Sequence, residues 1–84
     1  MKLFKISQIQ RTGYDTFDSA VVCACDVDHA RQIHPFESID GKPYLSHWSM
    51  SSWCSSPDVV IVEYIGEAAE GLTTGVVLAS FHAG

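Results

Sequence analysis

The pattern of apolar and polar positions predicts four β-strands, and the first two of them are close neighbours. Residues 2–10 mix apolar and polar positions with β-branched and aromatic residues, which is typical of a strand. Residues 17–25 predict a second strand, and their small apolar side chains on both faces favour a central position, covered on both sides. The turn formers Gly13 and Asp15 lie between the two runs, so we expect an antiparallel hairpin.

One short helix is expected after the second strand, from Asp26 to His34. Asp26 or Asp28 is suited to cap its first N–H groups, since acidic side chains favour the positive end of the helix dipole. Pro35 ends the helix because its ring cannot continue the hydrogen-bond ladder. The side chains predicted to form its buried face are Val27, Ala30, Ile33 and His34.

Two further strands are predicted in the second half of the chain, at residues 58–66 and 75–82. The short connection between them predicts a second hairpin, and the first or the fourth strand is then expected to be an open edge of the sheet. The run 58–66 is the most hydrophobic strand of the chain. Its side chains that we expect to be covered are Val60, Val62, Tyr64 and Ile61.

These elements predict one α+β domain over residues 1–84, with the order β-β-α-β-β along the chain. The simplest arrangement is a four-stranded, mainly antiparallel sheet with the short helix packed on one face. Residues 36–57 do not fit a regular element, and we interpret them as a long aromatic, Ser-rich loop of the kind that often carries a binding surface. The composition, 46% hydrophobic and 18% charged, is that of a globular domain.

Charge is unevenly distributed along the chain, whose formal net charge is −5. All five cations precede Pro43, and the residues after it carry only carboxylates. This distribution disfavours direct nucleic-acid binding, because contacts between basic side chains and phosphates dominate that affinity. If the partner is charged, we expect a basic protein surface, or a protein groove that normally holds nucleic acid. The alternative is that the charge only keeps a small protein soluble.

The cysteines and the hydropathy pattern predict the location of the protein. Cys23 and Cys25 are separated by one residue, so a disulfide between them would be strained. The apolar residues after Met1 are interrupted by Lys5, which argues against a signal peptide, and no apolar run approaches the ~20 residues of a membrane helix. We therefore expect reduced cysteines, no membrane association and a cytoplasmic location.

Candidate catalytic and metal-binding residues are present, but their spacing does not match a known motif. The cysteines and histidines lack the paired spacing of zinc sites, and we interpret Cys23 and Cys25 as small buried residues. A Cys/His metal site stays as an alternative. Cys54, His47 and Asp58 are the residue types of a nucleophile, a base and an orienting acid, but their neighbourhood has no Gly-x-Ser-x-Gly elbow. We expect neither an enzyme nor a cofactor.

The aromatic segment after Pro43 is the feature that most favours binding. Trp, Tyr and Met are enriched at protein interfaces, where large side chains fill pockets of the partner. The alternative is that the two tryptophans cover the sheet and complete a thin core. The predicted protein-interaction residues combine this segment with acidic neighbours: Tyr44, His47, Trp48, Met50, Trp53, Glu67 and Glu70.

Four segments carry a resemblance to a known group of proteins: residues 13–22, 30–35, 53–57 and 75–84. In matching order, they resemble short, uncharacterised proteins of tailed bacteriophages and prophages. The resemblance implies a phage-type accessory protein in a bacterial cytoplasm, and it brings no site residues with it. Because small acidic phage proteins include inhibitors of host defence nucleases, it also implies binding to a host or phage protein. A self-associating structural protein, a homo-oligomer without catalytic activity, is the alternative.

Overall fold

The computed structural model describes residues 1–37, 48 and 51–82, and it has the predicted α+β fold. Within these residues, one helix, α1 (Val27–Arg31), follows the second strand, and a 3₁₀ turn (Pro57–Val59) precedes the third. The sheet is antiparallel throughout. Its four strands are β1 (Lys2–Ser7), β2 (Thr16–Ala24), β3 (Ile61–Glu67) and β4 (Gly75–His82).

The order of the strands across the sheet is β3-β1-β2-β4. The predicted β1–β2 hairpin and the central position of β2 are confirmed. The predicted β3–β4 hairpin is wrong, because β3 pairs with β1 and β4 pairs with β2. Of the two strands named as a possible edge, β4 is one and β1 is not, and the two open edges are β3 and β4. The central hairpin leaves one free edge on each side, and the last two strands occupy one edge each.

The connection between β3 and β4 crosses the end of the sheet at which β1 begins. It spans three strand spacings, or roughly 14 Å, which residues 68–74 easily reach. The backbone N–H of Ala68 donates to the carbonyl of Met1 at 3.0 Å. The turn that follows places Gly71 at a positive φ of 94°, and the N–H of Leu72 then donates to the carbonyl of Ala69 at 3.2 Å.

The core lies on one face of the sheet, which we call the covered face. Alternation along β1 and β2 places Phe4, Ile6 and Val22 on this face, where α1 and the segment around Trp53 pack on them. Trp53 has 0% exposed surface and is among the largest fully buried side chains. The buried apolar side chains of this core are Phe4, Ile6, Phe17, Ala20, Val22, Ala24, Ala30, Ile33, Trp53, Cys54 and Val60.

Helix α1 is shorter than predicted, since it ends at Arg31 rather than near Pro35. The expected N-cap is confirmed: the carboxylate of Asp26 accepts a hydrogen bond from the backbone N–H of His29 at 2.8 Å. Three members of the predicted buried face are buried, but Val27 is 44% exposed. Val27 is the first residue of a helix of little more than one turn, and it borders a groove instead of the core.

Strand β3 is less covered than its sequence predicts. Val60 is buried and Val62 is half-buried, as expected for the covered face. Tyr64 is 54% exposed and Ile61 is 49% exposed, so the expectation of burial is wrong for both. β3 has a neighbouring strand on one side only, and the ring of Tyr64 contacts Phe4 edge-on at a centroid distance of 5.8 Å.

The opposite face of the sheet is covered by no described element, and we call it the open face. The register places Lys5 opposite both Val21 and Glu63, and Val21 opposite Leu78. Val21 is half-buried, so the prediction that β2 is covered on both sides holds only in part. Cys23 is the fully buried exception on this face, with its Sγ 3.9 Å from the sulfur of Met1. Other side chains on the open face include Leu3, Lys5, Val21, Ile61, Glu63 and Leu78.

Across the described ranges, no helix has the length and apolar character needed to cross a membrane.

Candidate functional site

The aromatic part of the predicted interaction site is only partly described. Trp48 is half-buried, and its ring meets that of His34 edge-on at a centroid distance of 5.1 Å. Trp53 offers no surface to a partner, since it lies in the core, and the N–H group of Arg11 donates to its carbonyl at 3.2 Å. For Trp53 the structure therefore shows the alternative interpretation, in which the side chain completes the core. Three of the predicted residues fall outside the described ranges: Tyr44, His47 and Met50.

The acidic part of the predicted site is exposed and gains two members from another region of the chain. Glu67 ends β3, and Glu70 lies in the connection that crosses the end of the sheet. β2 ends beside the start of β1, so α1 begins at this same end with Asp26 and Asp28. We call these four residues, Asp26, Asp28, Glu67 and Glu70, the acidic end. The sequence alone does not bring the two pairs together, because about 40 residues separate them and only the strand order makes them neighbours.

A groove of about 410 Å³ opens at the acidic end, between the start of α1 and the strands β1 and β3. Its size is within the usual range of small-ligand pockets. An apolar floor is bordered by charged side chains of both signs. We call it the acidic groove, and its lining residues are Lys2, Phe4, Asp26, Val27, Tyr64 and Glu67.

Both carboxylates of the acidic groove are oriented by hydrogen bonds within the protein. The phenol of Tyr64 donates to Glu67 Oε2 at 2.9 Å, and the Asp26 side chain accepts from the N–H of His29. The bond to Glu67 raises the pKa of the Tyr64 phenol, because the carboxylate stabilises the protonated form. Each carboxylate has further lone pairs, so both can accept hydrogen bonds from a cation placed over the aromatic floor.

A thiol–imidazole pair is a further feature that the sequence analysis did not identify. The Sγ of Cys25 lies 3.1 Å from Nδ1 of His29, within hydrogen-bonding distance. The two residues are four apart in the sequence, with Cys25 just before the N-cap Asp26 and His29 in α1. Cys25 is exposed, so the expectation that it is buried is wrong, and it is not among the residues that line the acidic groove.

Among the residues considered for nucleophilic chemistry, Cys54 lies in an environment that does not activate a thiol. Cys54 is fully buried, and burial raises the pKa of its thiol, which is opposite to the shift that activates a nucleophilic cysteine. Its proposed base, His47, lies outside the described ranges. Over the ranges that the structure describes, no three His, Cys, Asp or Glu side chains are grouped so that they could hold a metal ion.

Comparison with known proteins gives no relative: no family model matches the chain, and neither a curated protein nor a solved structure matches it.

Proposed function

We propose that this chain is a phage-type accessory protein that acts in the bacterial cytoplasm by binding a positively charged surface of a host or phage protein. The observation that carries the proposal is the acidic groove, whose floor is apolar and whose rim holds two oriented carboxylates. The net charge of −5 and the resemblance to short phage proteins support the same function.

The acidic groove suits an arginine side chain of the partner. An arginine lays its aliphatic stem on apolar surface while its guanidinium group donates to carboxylates, and it also stacks on aromatic rings. Phe4, Val27 and Tyr64 supply the apolar and aromatic surface, and Asp26 with Glu67 supplies the acceptors. Lys2 lines the same groove, so the two carboxylates exceed the cationic charge there by one.

The wider acidic end favours a basic protein surface over an isolated ligand. Asp28 and Glu70 add two carboxylates outside the groove, and complementary charge over such an area speeds association with a basic partner. A basic protein groove that normally holds nucleic acid is one such positively charged surface. Occupation of such a groove by the acidic end would exclude the nucleic acid, which is how the proposed binding would inhibit a host defence protein.

The experiment compares proteins captured from a bacterial lysate by the wild type and by two charge-reversal variants. Glu67→Lys places a cation in the acidic groove, whereas Asp18→Lys makes the same change of charge at an exposed position in β2, away from the groove. We expect the wild type and Asp18→Lys to retain a common basic partner, and Glu67→Lys to lose it. Binding should also weaken with added salt, because exposed charges are screened.

Thermal unfolding of each variant serves as the folding control, since both substituted side chains are exposed. Equal capture by the three proteins would remove the acidic groove from the binding site. Failure of the wild type to retain any specific partner would count against the proposed function itself.

A further inference from the structure

The acidic groove contains a cation whose neighbours are already bonded to other groups. Lys2 lines the groove and lies directly opposite Glu67 in the register of β1 and β3. The carboxylate of Glu67 accepts from the Tyr64 phenol, and that of Asp26 accepts from the N–H of His29. Among the residues that the structure describes, the exposed Lys2 ammonium has no hydrogen bond or ion pair. The groove therefore offers a ligand one strong donor as well as two acceptors.

The two signs of charge lie close together over the apolar floor. Direct cross-strand partners have Cβ atoms roughly 5 Å apart, so the side chains of Lys2 and Glu67 start from neighbouring positions. A ligand that carries only a cation leaves Lys2 facing a like charge. The complementary ligand carries a cation for the carboxylates, an anion for the ammonium and an apolar stem between them.

We propose that the acidic groove binds the last residue of a protein partner, an arginine, and that Lys2 binds the terminal carboxylate of that residue. A C-terminal arginine has a guanidinium group and a carboxylate joined by a flexible aliphatic stem. Its five N–H donors suit two acceptors on different elements, Asp26 and Glu67, better than the three donors of a lysine ammonium do. Capture of a C-terminal carboxylate is a recurring mode of peptide recognition.

The surroundings of the groove favour the end of a protein chain over the free amino acid. Free arginine carries an α-ammonium group beside its carboxylate, and this second cation would face Lys2, whereas the same nitrogen is a neutral amide in a chain. Asp28 and Glu70 are exposed outside the groove, where only residues that precede a bound C-terminal arginine would reach them. The inference rests on the proposed function, since it names the part of the partner that enters the groove.

Titration of the purified protein with three synthetic peptides, followed by NMR, tests the ligand directly. The probes are acetyl-glycyl-glycyl-arginine with a free carboxylate, the same peptide as its C-terminal amide, and the lysine analogue with a free carboxylate. We expect the free-acid arginine peptide to bind about three- to tenfold more tightly than its amide, because the carboxylate adds a charge-assisted contact. The lysine analogue should bind more weakly than the arginine peptide.

Lys2→Met and Lys5→Met form a matched pair of variants. Each removes one exposed cation from β1, but only Lys2 lines the groove. In Lys2→Met the amide should bind at least as tightly as the free acid, because the ligand carboxylate then meets only carboxylates. Lys5→Met should keep the wild-type preference for the free acid. Glu67→Gln should weaken binding of all three peptides, and thermal unfolding establishes that each variant is folded.

Four results would overturn the proposal. They are equal or tighter binding of the amide by the wild type, a preference for the free acid that survives Lys2→Met, equal binding of the lysine analogue, and no binding of any peptide at millimolar concentration. Capture of a basic partner through Glu67, without a preference between acid and amide, would leave the proposed function and remove this inference. The expected peptide binding without any captured partner would retain the ligand and remove the proposed function.

Discussion

The two faces of the sheet are built from the same four strands, yet one is a core and the other is a surface. On the covered face, Phe4, Ile6 and Val22 have almost no exposed area. On the open face, Ile61 and Leu78 are equally apolar and largely exposed. The difference is what packs on top: α1 and the segment around Trp53 lie on one face, and no described element lies on the other. Apolar character within a strand therefore does not determine burial by itself.

This difference also predicts where a substitution lowers the free energy of unfolding. Side chains on the covered face contact many neighbours, so their replacement leaves a cavity and lowers the free energy of unfolding. Side chains on the open face already contact water in the single chain, so their replacement changes that free energy little.

The largest expected effect is that of Trp53→Ala, which tests the covered face. We expect the free energy of unfolding to fall by about 3–5 kcal/mol, because a large fully buried side chain leaves a cavity. Small domains have only about 5–15 kcal/mol in total, so we expect the variant to stay folded only at low temperature. Leu78→Ala is the control on the open face, with an expected change of less than about 1 kcal/mol. Denaturant unfolding at low protein concentration measures both, and equal changes would remove the distinction between the faces.

The fold class was predictable from sequence because it depends on local signals. Alternation in residues 2–10, the turn at Gly13 and the capping carboxylate of Asp26 each specify their own element. The order of the strands is a different kind of property. The connection 68–74 has a length that suits a hairpin and also suits a crossing of the sheet end, so its sequence does not distinguish the two. The error at Ile61 has the same origin, because an apolar run is exposed when its strand becomes an edge.

The candidate site was predictable to a similar extent. Glu67 and Glu70 were identified from charge alone, and charged side chains of a small domain are almost always exposed. Trp53 was ambiguous because a large aromatic side chain suits a core and an interface equally well. The acidic groove was not predictable, since it joins Asp26 to Tyr64 and Glu67 only after β3 has paired with β1.

A smaller effect on stability is expected from replacing Arg31, whose hydrogen bonds link α1 to the segment that leads into β3. Its guanidinium group donates to the carbonyl of Val60 at 2.6 Å and to that of Pro57 at 3.4 Å. Arg31→Ala should lower the free energy of unfolding by about 2 kcal/mol, since it removes charge-assisted hydrogen bonds to partly buried carbonyls. Lys5→Ala removes a cation from the open face and should cost less than about 0.5 kcal/mol. If Lys5→Ala lowered the free energy of unfolding as much as Arg31→Ala, side chains on the open face would also stabilise the fold.

The last comparison leaves the sequence unchanged and measures how fast each of the three thiols is alkylated. Cys25 is exposed, Cys23 on the open face is buried beneath Met1, and Cys54 lies in the core. Since the thiolate is the reactive form, burial protects Cys54 twice: it blocks access, and it raises the pKa of the thiol above the usual 9.0. The raised pKa lowers the fraction of Cys54 thiolate at any given pH, and access to the thiol requires opening of the covered face.

Mass spectrometry after timed exposure to iodoacetamide gives the order of reaction, which we expect to be Cys25, then Cys23, then Cys54. Cys23 should precede Cys54 because one flexible Met1 side chain moves away from it more readily than α1 and Trp53 separate from the sheet. Denaturant should accelerate Cys54 most, since its reaction alone requires the core to open. If Cys54 reacts before Cys23 under native conditions, the covered face opens more easily than the open face releases Met1, and the stability assigned to the two faces is reversed.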